Sequence, residues 1–183
     1  MSVTREDYFE AAMHILATEG HRALKMSTLC KHLGITTGSF YNYFGNWASF
    51  VPALLTHWEV ERTARIVELS SRPVDPGGRI RLLKELTVQI PHDAEAAIRA
   101  RSNGDPVVAE FQRRVDEARF EALRNTVRGR VHDEARAESL SIMGMSLLIG
   151  IQSWRSPVDT GELQRLFDDY EAIINSCADN ADH

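Results

Sequence analysis

Apolar residues recur along this chain at intervals of three and four and almost never in strict alternation, the mark of amphipathic helices rather than strands. In residues 4–19 the stripe is Phe9, Ala12, Met13 and Leu16. Thr4 and Asp7 stand before it as a capping pair, and Gly20 stops it. A short second helix is expected to take Ser27 as its cap, put Leu29 and Leu33 on one face and end at Gly34. The stretch GITTGSFYNYFGN, residues 34–46, reads as a third helix of about two turns. Thr36 is its N-cap, Ile35 and Phe40 make a hydrophobic staple around that cap, Phe40 and Phe44 share a face, and Gly45 ends it. With both rings turned inward, Thr37, Gly38, Ser39, Tyr41, Asn42 and Tyr43 are left looking outward.

A fourth helix begins at Asn46 and carries Trp47, Phe50, Val51, Leu54, Leu55 and Trp58 as one stripe. Pro52, inside it, is expected to kink it or delay its regular start. SSRPVDPGG, residues 70–78, reads as a linker. Ile80, Leu83, Leu86 and Ile90 then mark a fifth helix stopped by Pro91, and residues 93–101 a short sixth. Asp105 and Pro106 open a longer seventh, cap followed by proline. Val108, Phe111, Val115, Ala118 and Ala122 line its inner side; Arg113, Arg114, Arg119 and Arg124, interleaved with acids, read as its solvated side. Residues 139–154 are apolar nearly all round, with Gly144, Ser146 and Gly150 permitting close contact, so this helix is expected to be buried on every side. The last helix carries Leu163, Leu166, Phe167, Tyr170, Ile173, Ile174 and Cys177. Two such helices hold more apolar surface than a small fold covers alone. Self-association through Met143, Leu147, Ile151, Leu163, Leu166, Phe167, Tyr170 and Ile174 is the expected cover.

Charge sharpens this picture. The chain has 183 residues, 43% of them hydrophobic, and a net charge of -5, which by itself argues against a polyanionic partner. The acids are segregated, however: residues 20–58 contain no Asp or Glu, while Arg22, Lys25, Lys31, His21, His32 and His57 fall there. A surface that meets phosphates needs that segregation, because carboxylates repel them. Two short helices joined by Gly34, Ile35 and Thr36 and preceded by a longer one make a helix-turn-helix, whose second member enters the major groove of DNA. Gly38 would let the backbone come close, and the amides of the first turn can hold a phosphate. No run approaches the roughly 20 apolar residues of a membrane span, and the N-terminal stretch carries acids where a signal peptide would be basic, so a cytoplasmic protein is expected. Cys30 and Cys177 read as small buried hydrophobes. The pairs His92-Asp93 and His132-Asp133-Glu134 fall at helix starts, and no metal, phosphate-loop or nucleophile motif occurs. Neither catalysis nor a cofactor is expected.

The segment ILATEGHRALKMSTLCKHLGITTGSFYNYFGNWASFVPALL, residues 15–55, resembles the N-terminal DNA-binding region of the TetR family of transcriptional regulators. It shares that family's sequence of an apolar helix ending in Gly, a short helix, Gly-Ile-Thr and then Gly-Ser-Phe-Tyr-x-x-Phe. The resemblance implies that Thr36, Thr37, Gly38, Ser39 and Asn42 face the groove, that Tyr41 and Tyr43 touch the sugar-phosphate backbone, and that Ser27 and Thr28 hold phosphate across it. Asn42 is the best base reader, since its amide can bond adenine at two points and discriminate by about 1–3 kcal/mol. Two positions depart from the family pattern: Lys25 replaces a usual threonine, adding a phosphate contact, and Trp47 replaces a usual lysine, removing one.

For the rest of the chain the resemblance implies an all-α fold of about nine helices. Residues 1–46 would form a three-helix helix-turn-helix head, and residues 47–183 a helical ligand-binding and dimerisation bundle with a four-helix dimer interface. The function implied is that of a homodimeric repressor. It would bind a pseudo-palindromic double-stranded DNA operator and be released by a small molecule, with the fourth helix as the lever between effector and DNA and Pro52 either tuning that lever or standing as a tolerated kink. Trp58, Phe111, Met143, Met145 and Trp154 could line a pocket for that effector, though the same residues serve equally as core. The competing reading is a dimeric helical sensor or adaptor that does not bind DNA, made thinkable by Trp47.

Overall fold

The computed structural model describes residues 3–60 and 75–179. Among the described residues there are nine helices and no strand. They are α1 (Arg5–Glu19), α2 (Met26–Leu33), α3 (Thr37–Phe44), α4 (Trp47–Trp58), α5 (Pro76–Val88), α6 (His92–Ser102), α7 (Pro106–Arg128), α8 (Glu134–Trp154) and α9 (Thr160–Asp179). Local chemistry sets most of the boundaries. Thr4 accepts from the Asp7 amide while the Asp7 carboxylate accepts from the Thr4 amide at 2.6 Å, a complete capping box. Thr36 and Asn46 cap α3 and α4 through the amides of Ser39 and Ser49. Gly34 closes α2 at φ 65°, a left-handed conformation that a side chain would strain, and the Ile35 amide then reaches back to the Cys30 carbonyl at 3.0 Å.

Two starts differ from expectation. Ser27 does not cap α2: the chain enters extended at Lys25, the helix begins at Met26, and no side chain caps it. The linker at residues 70–78 gives way to helix at Pro76, because Asp75 accepts from the Gly78 amide at 3.0 Å and Pro76 supplies the first helical residue without needing a partner for an amide. Its residues 70–74 lie outside the described residues. Asp105 and Pro106 repeat the device at α7, the Asp105 carboxylate accepting from Val107 and Val108. α4 remains one helix across Pro52.

The residues group into two units. The first holds residues 1–61 and 91–114, and its centre is aromatic. Phe40 is 0% exposed and meets Tyr8, Phe44, Trp47 and Phe50. Phe44 and Phe50 cross edge to face at 4.9 Å, an arrangement the ring quadrupoles favour. α6 lies along α1, each bringing small buried residues, Ala11 and Ala12 from α1 and Ala94 and Ala97 from α6. The buried Glu95 of α6 accepts from the Trp58 indole at 3.2 Å, and Arg114 grips Glu59 with two bonds while its guanidinium lies 4.1 Å from the centre of the Phe111 ring.

The second unit holds residues 62–90 and 115–183, with a core that includes Ile80, Leu83, Val127, Leu140, Leu148, Leu163, Phe167 and Ile174. On α7 the inward residues here are Val115, Arg119, Ala122 and Thr126, so Arg119 belongs to the buried side rather than the solvated one. Nor is α8 buried all round. Leu140, Gly144, Met145, Leu148 and Ile151 face inward, whereas Ile142 is 53% and Trp154 73% exposed. Of the residues expected to meet a second copy, Ile151, Leu163, Phe167, Tyr170 and Ile174 are instead buried within their own chain. α9 packs against α5 as well as α8, and that consumes the strongest part of its stripe; Met143, Leu147 and Leu166 keep outward surface.

Gly144 is what lets α9 come so close. A Cβ there would stand 2.7 Å from the Tyr170 hydroxyl oxygen and 2.8 Å from Leu123. The Tyr170 hydroxyl cannot readily move aside, since it donates to the Leu140 carbonyl at 2.7 Å. Gly144→Ala is therefore expected to destabilise the protein by about 1–3 kcal/mol in chemical denaturation, despite alanine's better helix propensity. A neutral or stabilising result would contradict this packing.

Candidate nucleic-acid interface

The inward pull of Phe40 and Phe44 determines what α3 shows to the outside. Thr36, Thr37, Gly38 and Asn42 are exposed, and Tyr41 is 48% exposed. At the start of α2, Lys25 and Ser27 are exposed and Thr28 is half-buried. The first-turn amides of α2 carry no side-chain cap, in contrast to those of α3 and α4, and so are available to an acceptor from outside. No carboxylate of residues 20–58 opposes an anion at this surface, because that segment has none.

Two of the expected contacts already have partners within the chain. Ser39 is half-buried, its hydroxyl 3.1 Å from that of Tyr8, which is itself 0% exposed. Tyr43, 39% exposed, donates its only hydroxyl proton to the Val3 carbonyl at 2.6 Å and packs its ring 5.3 Å from Tyr8. A phenol so committed has only lone pairs to offer, which phosphate oxygens repel. Tyr43 thus ties the N-terminal segment to α3. Tyr43→Phe should cost about 0.5–1.5 kcal/mol of stability. In a salt titration of DNA binding, the slope should stay unchanged, whereas loss of a phosphate contact would lower it by about one.

Trp47 is half-buried against Phe40 and Phe50, at 5.8 and 5.0 Å, so it serves the core of the head and not its surface. Tyr8 escaped the sequence reading although Tyr8, Ala12 and Ile15 are a regular i, i+4, i+7 stripe, wider than the one built on Phe9. Of the large side chains considered for an effector pocket, Met145 borders a cavity in the second unit. Trp58 and Phe111 belong to the first unit, and Met143 and Trp154 face outward.

Residues 9–54 match the family described as bacterial regulatory proteins, tetR family. No curated protein matches the chain in sequence. In fold it is similar to a transcriptional regulator of Rhodococcus sp. Rha1, with a TM-score of 0.78 at 16% identity over 97% of this chain and 98% of that one. A TetR transcriptional regulator of Legionella pneumophila gives 0.75 at 14% identity, over 97% and 98% of the two chains. A putative transcriptional regulator of Saccharomonospora viridis in complex with choline gives 0.72 at 15%, over 91% and 94%. No described helix is long and apolar enough to cross a membrane. The head is thus similar in sequence to the tetR family of bacterial regulatory proteins, and nearly the whole chain is similar in fold to solved transcriptional regulators.

Proposed function

We propose that this DNA-binding regulator is a cytoplasmic, homodimeric repressor that binds a pseudo-palindromic operator and is released by a small molecule. The observation that carries the reading is α3: two buried phenylalanines, and on the opposite side Thr36, Thr37, Gly38, Tyr41 and Asn42 open to solvent within an acid-free segment. Asn42 would read a base, Tyr41 and Lys25 would hold phosphates, and Ser27, Thr28 and the uncapped amides of α2 would take a phosphate on the far side of the groove. Ser39 would act there through its hydroxyl bond to Tyr8. Residues 1–46 would be the DNA-binding domain and residues 47–183 the effector and dimerisation domain. The dimer surface would be the outward apolar side of α8 and α9, with Ile142, Met143, Leu147, Trp154, Leu166 and Ile173. A two-fold pair of heads matches two half-sites one helical turn apart, and an effector acts by favouring a spacing that no longer fits.

A mobility-shift titration against the DNA upstream of the protein's own gene, at two salt concentrations and against a scrambled duplex, tests this. A sequence-preferring complex that weakens with salt is expected. No complex with either duplex would leave the sensor or adaptor reading standing instead.

A further inference from the structure

The second unit holds a partly open cavity of about 50 Å³. Ile80, Leu83, Leu123, Leu148, Phe167 and Ile174 supply most of its wall. The polar side chains on that wall are already engaged. Thr87 donates its hydroxyl proton to the Leu83 carbonyl, Thr126 to Ala122 and Tyr170 to Leu140, at 2.8, 2.8 and 2.7 Å. Burial also holds the Tyr170 phenol well above its ordinary pKa, so it stays neutral. Lys84 places its ammonium between Asp168 and Glu171, at 2.7 and 2.5 Å, which cancels the one carboxylate bordering the cavity. Arg119, 5% exposed, borders it too and has a contact of its own.

Such a wall presents hydrocarbon plus hydroxyl oxygens whose protons point away, leaving lone pairs. An incoming cation would lose its hydration and find Glu171 already held by Lys84, and an incoming anion would meet only Arg119, which has a contact of its own. A neutral hydroxyl, in contrast, can donate to one of those oxygens while its hydrocarbon body replaces water. We propose that the cavity binds a compact, uncharged alcohol or phenol of about one ring, with Tyr170 or a threonine hydroxyl as acceptor and the Lys84–Glu171 pair as the feature that rejects cations. This rests on reading the second unit as the effector domain, and it names the class of effector.

The test is calorimetric titration of the full-length protein with three ligands of one shape: cyclohexanol, cyclohexylammonium and cyclohexanecarboxylate. Cyclohexanol should bind at least tenfold more tightly than either ion. Tightest binding by the carboxylate would make Arg119 an anion anchor, tightest binding by the ammonium would make Glu171 a cation site, and no binding by any of the three would leave the cavity without this role; each overturns the proposal. Lys84→Met releases Glu171 and should raise ammonium affinity tenfold or more if the ligand occupies this cavity; unchanged affinity would place the ligand elsewhere and also overturn it. The operator complex separates the two readings. If cyclohexanol binds as expected but leaves DNA bound, the effector role falls and the ligand class stands. If a charged ligand dissociates the complex and cyclohexanol does not, the ligand class falls and the effector role stands.

Discussion

Phe40→Ala is expected to destabilise the head by about 3–5 kcal/mol and to abolish operator binding with it. The ring is 0% exposed and touches aromatic neighbours from α1, α3 and α4, so its removal leaves a cavity at the point where those three helices meet. Alanine cannot refill that space, and the surrounding rings, held edge to face, can close it only by giving up their own geometry. Since whole domains are stable by about 5–15 kcal/mol, the loss should appear as a separate early transition of the head in chemical denaturation followed by tryptophan fluorescence. Phe40→Leu, which keeps most of the volume, should retain most of the stability. A cost below about 1 kcal/mol for the alanine would mean that Phe40 does not anchor α3, and the outward orientation of Thr37, Gly38 and Asn42 would lose its cause.

Gly38→Ala should do the opposite to stability and still harm function. Unlike Gly34, Gly38 has no positive φ, and a Cβ built on it meets only the Thr36 hydroxyl oxygen, at an ordinary 3.6 Å. Nothing in the head therefore asks for glycine, and alanine should stabilise α3 by up to about 1 kcal/mol through helix propensity alone. The remaining reason for glycine at this exposed position is an external body that approaches the backbone closely. Operator affinity is accordingly expected to fall by at least about tenfold, or 1.4 kcal/mol, with the melting temperature unchanged or raised. Equal affinity of the two proteins in a fluorescence-anisotropy titration would remove the close-approach argument and weaken the placement of α3 in the groove.

The contrast between these two substitutions reflects how much of the head was legible in the chain. Thr4, Thr36 and Asn46 cap the helices that their spacing from the apolar stripes announced, and Phe40 and Phe44 are buried as their i, i+4 relation required. The exposure of Thr37, Gly38 and Asn42 follows from the same periodicity. Elsewhere a distant partner decided the contacts. Tyr43 sits on a face that helical spacing marks as outward, yet its hydroxyl meets Val3, forty positions earlier. Asp75 and Pro76 carry the same start signal as Asp105 and Pro106, but Gly77 and Gly78 beside them have the composition of a linker.

The rest of the chain divides in the same way. The extent of α7, α8 and α9 could be read from caps and periodicity, because capping and amphipathicity depend on residues within one or two turns. Which face each helix buries could not. Arg119 resembles its neighbours Arg113 and Arg114 in sequence and is nonetheless enclosed, and Leu163, Phe167 and Tyr170, read as surface for a second copy, are core of their own chain. The association of α6 with α1, and of Lys84 with Asp168 and Glu171, joins positions more than seventy residues apart. Local spacing thus determined the helices and the outward side of α3. Only the tertiary packing decided which apolar stripes met each other and which charges were enclosed, since a side chain's environment is set by whatever part of the chain lies opposite it.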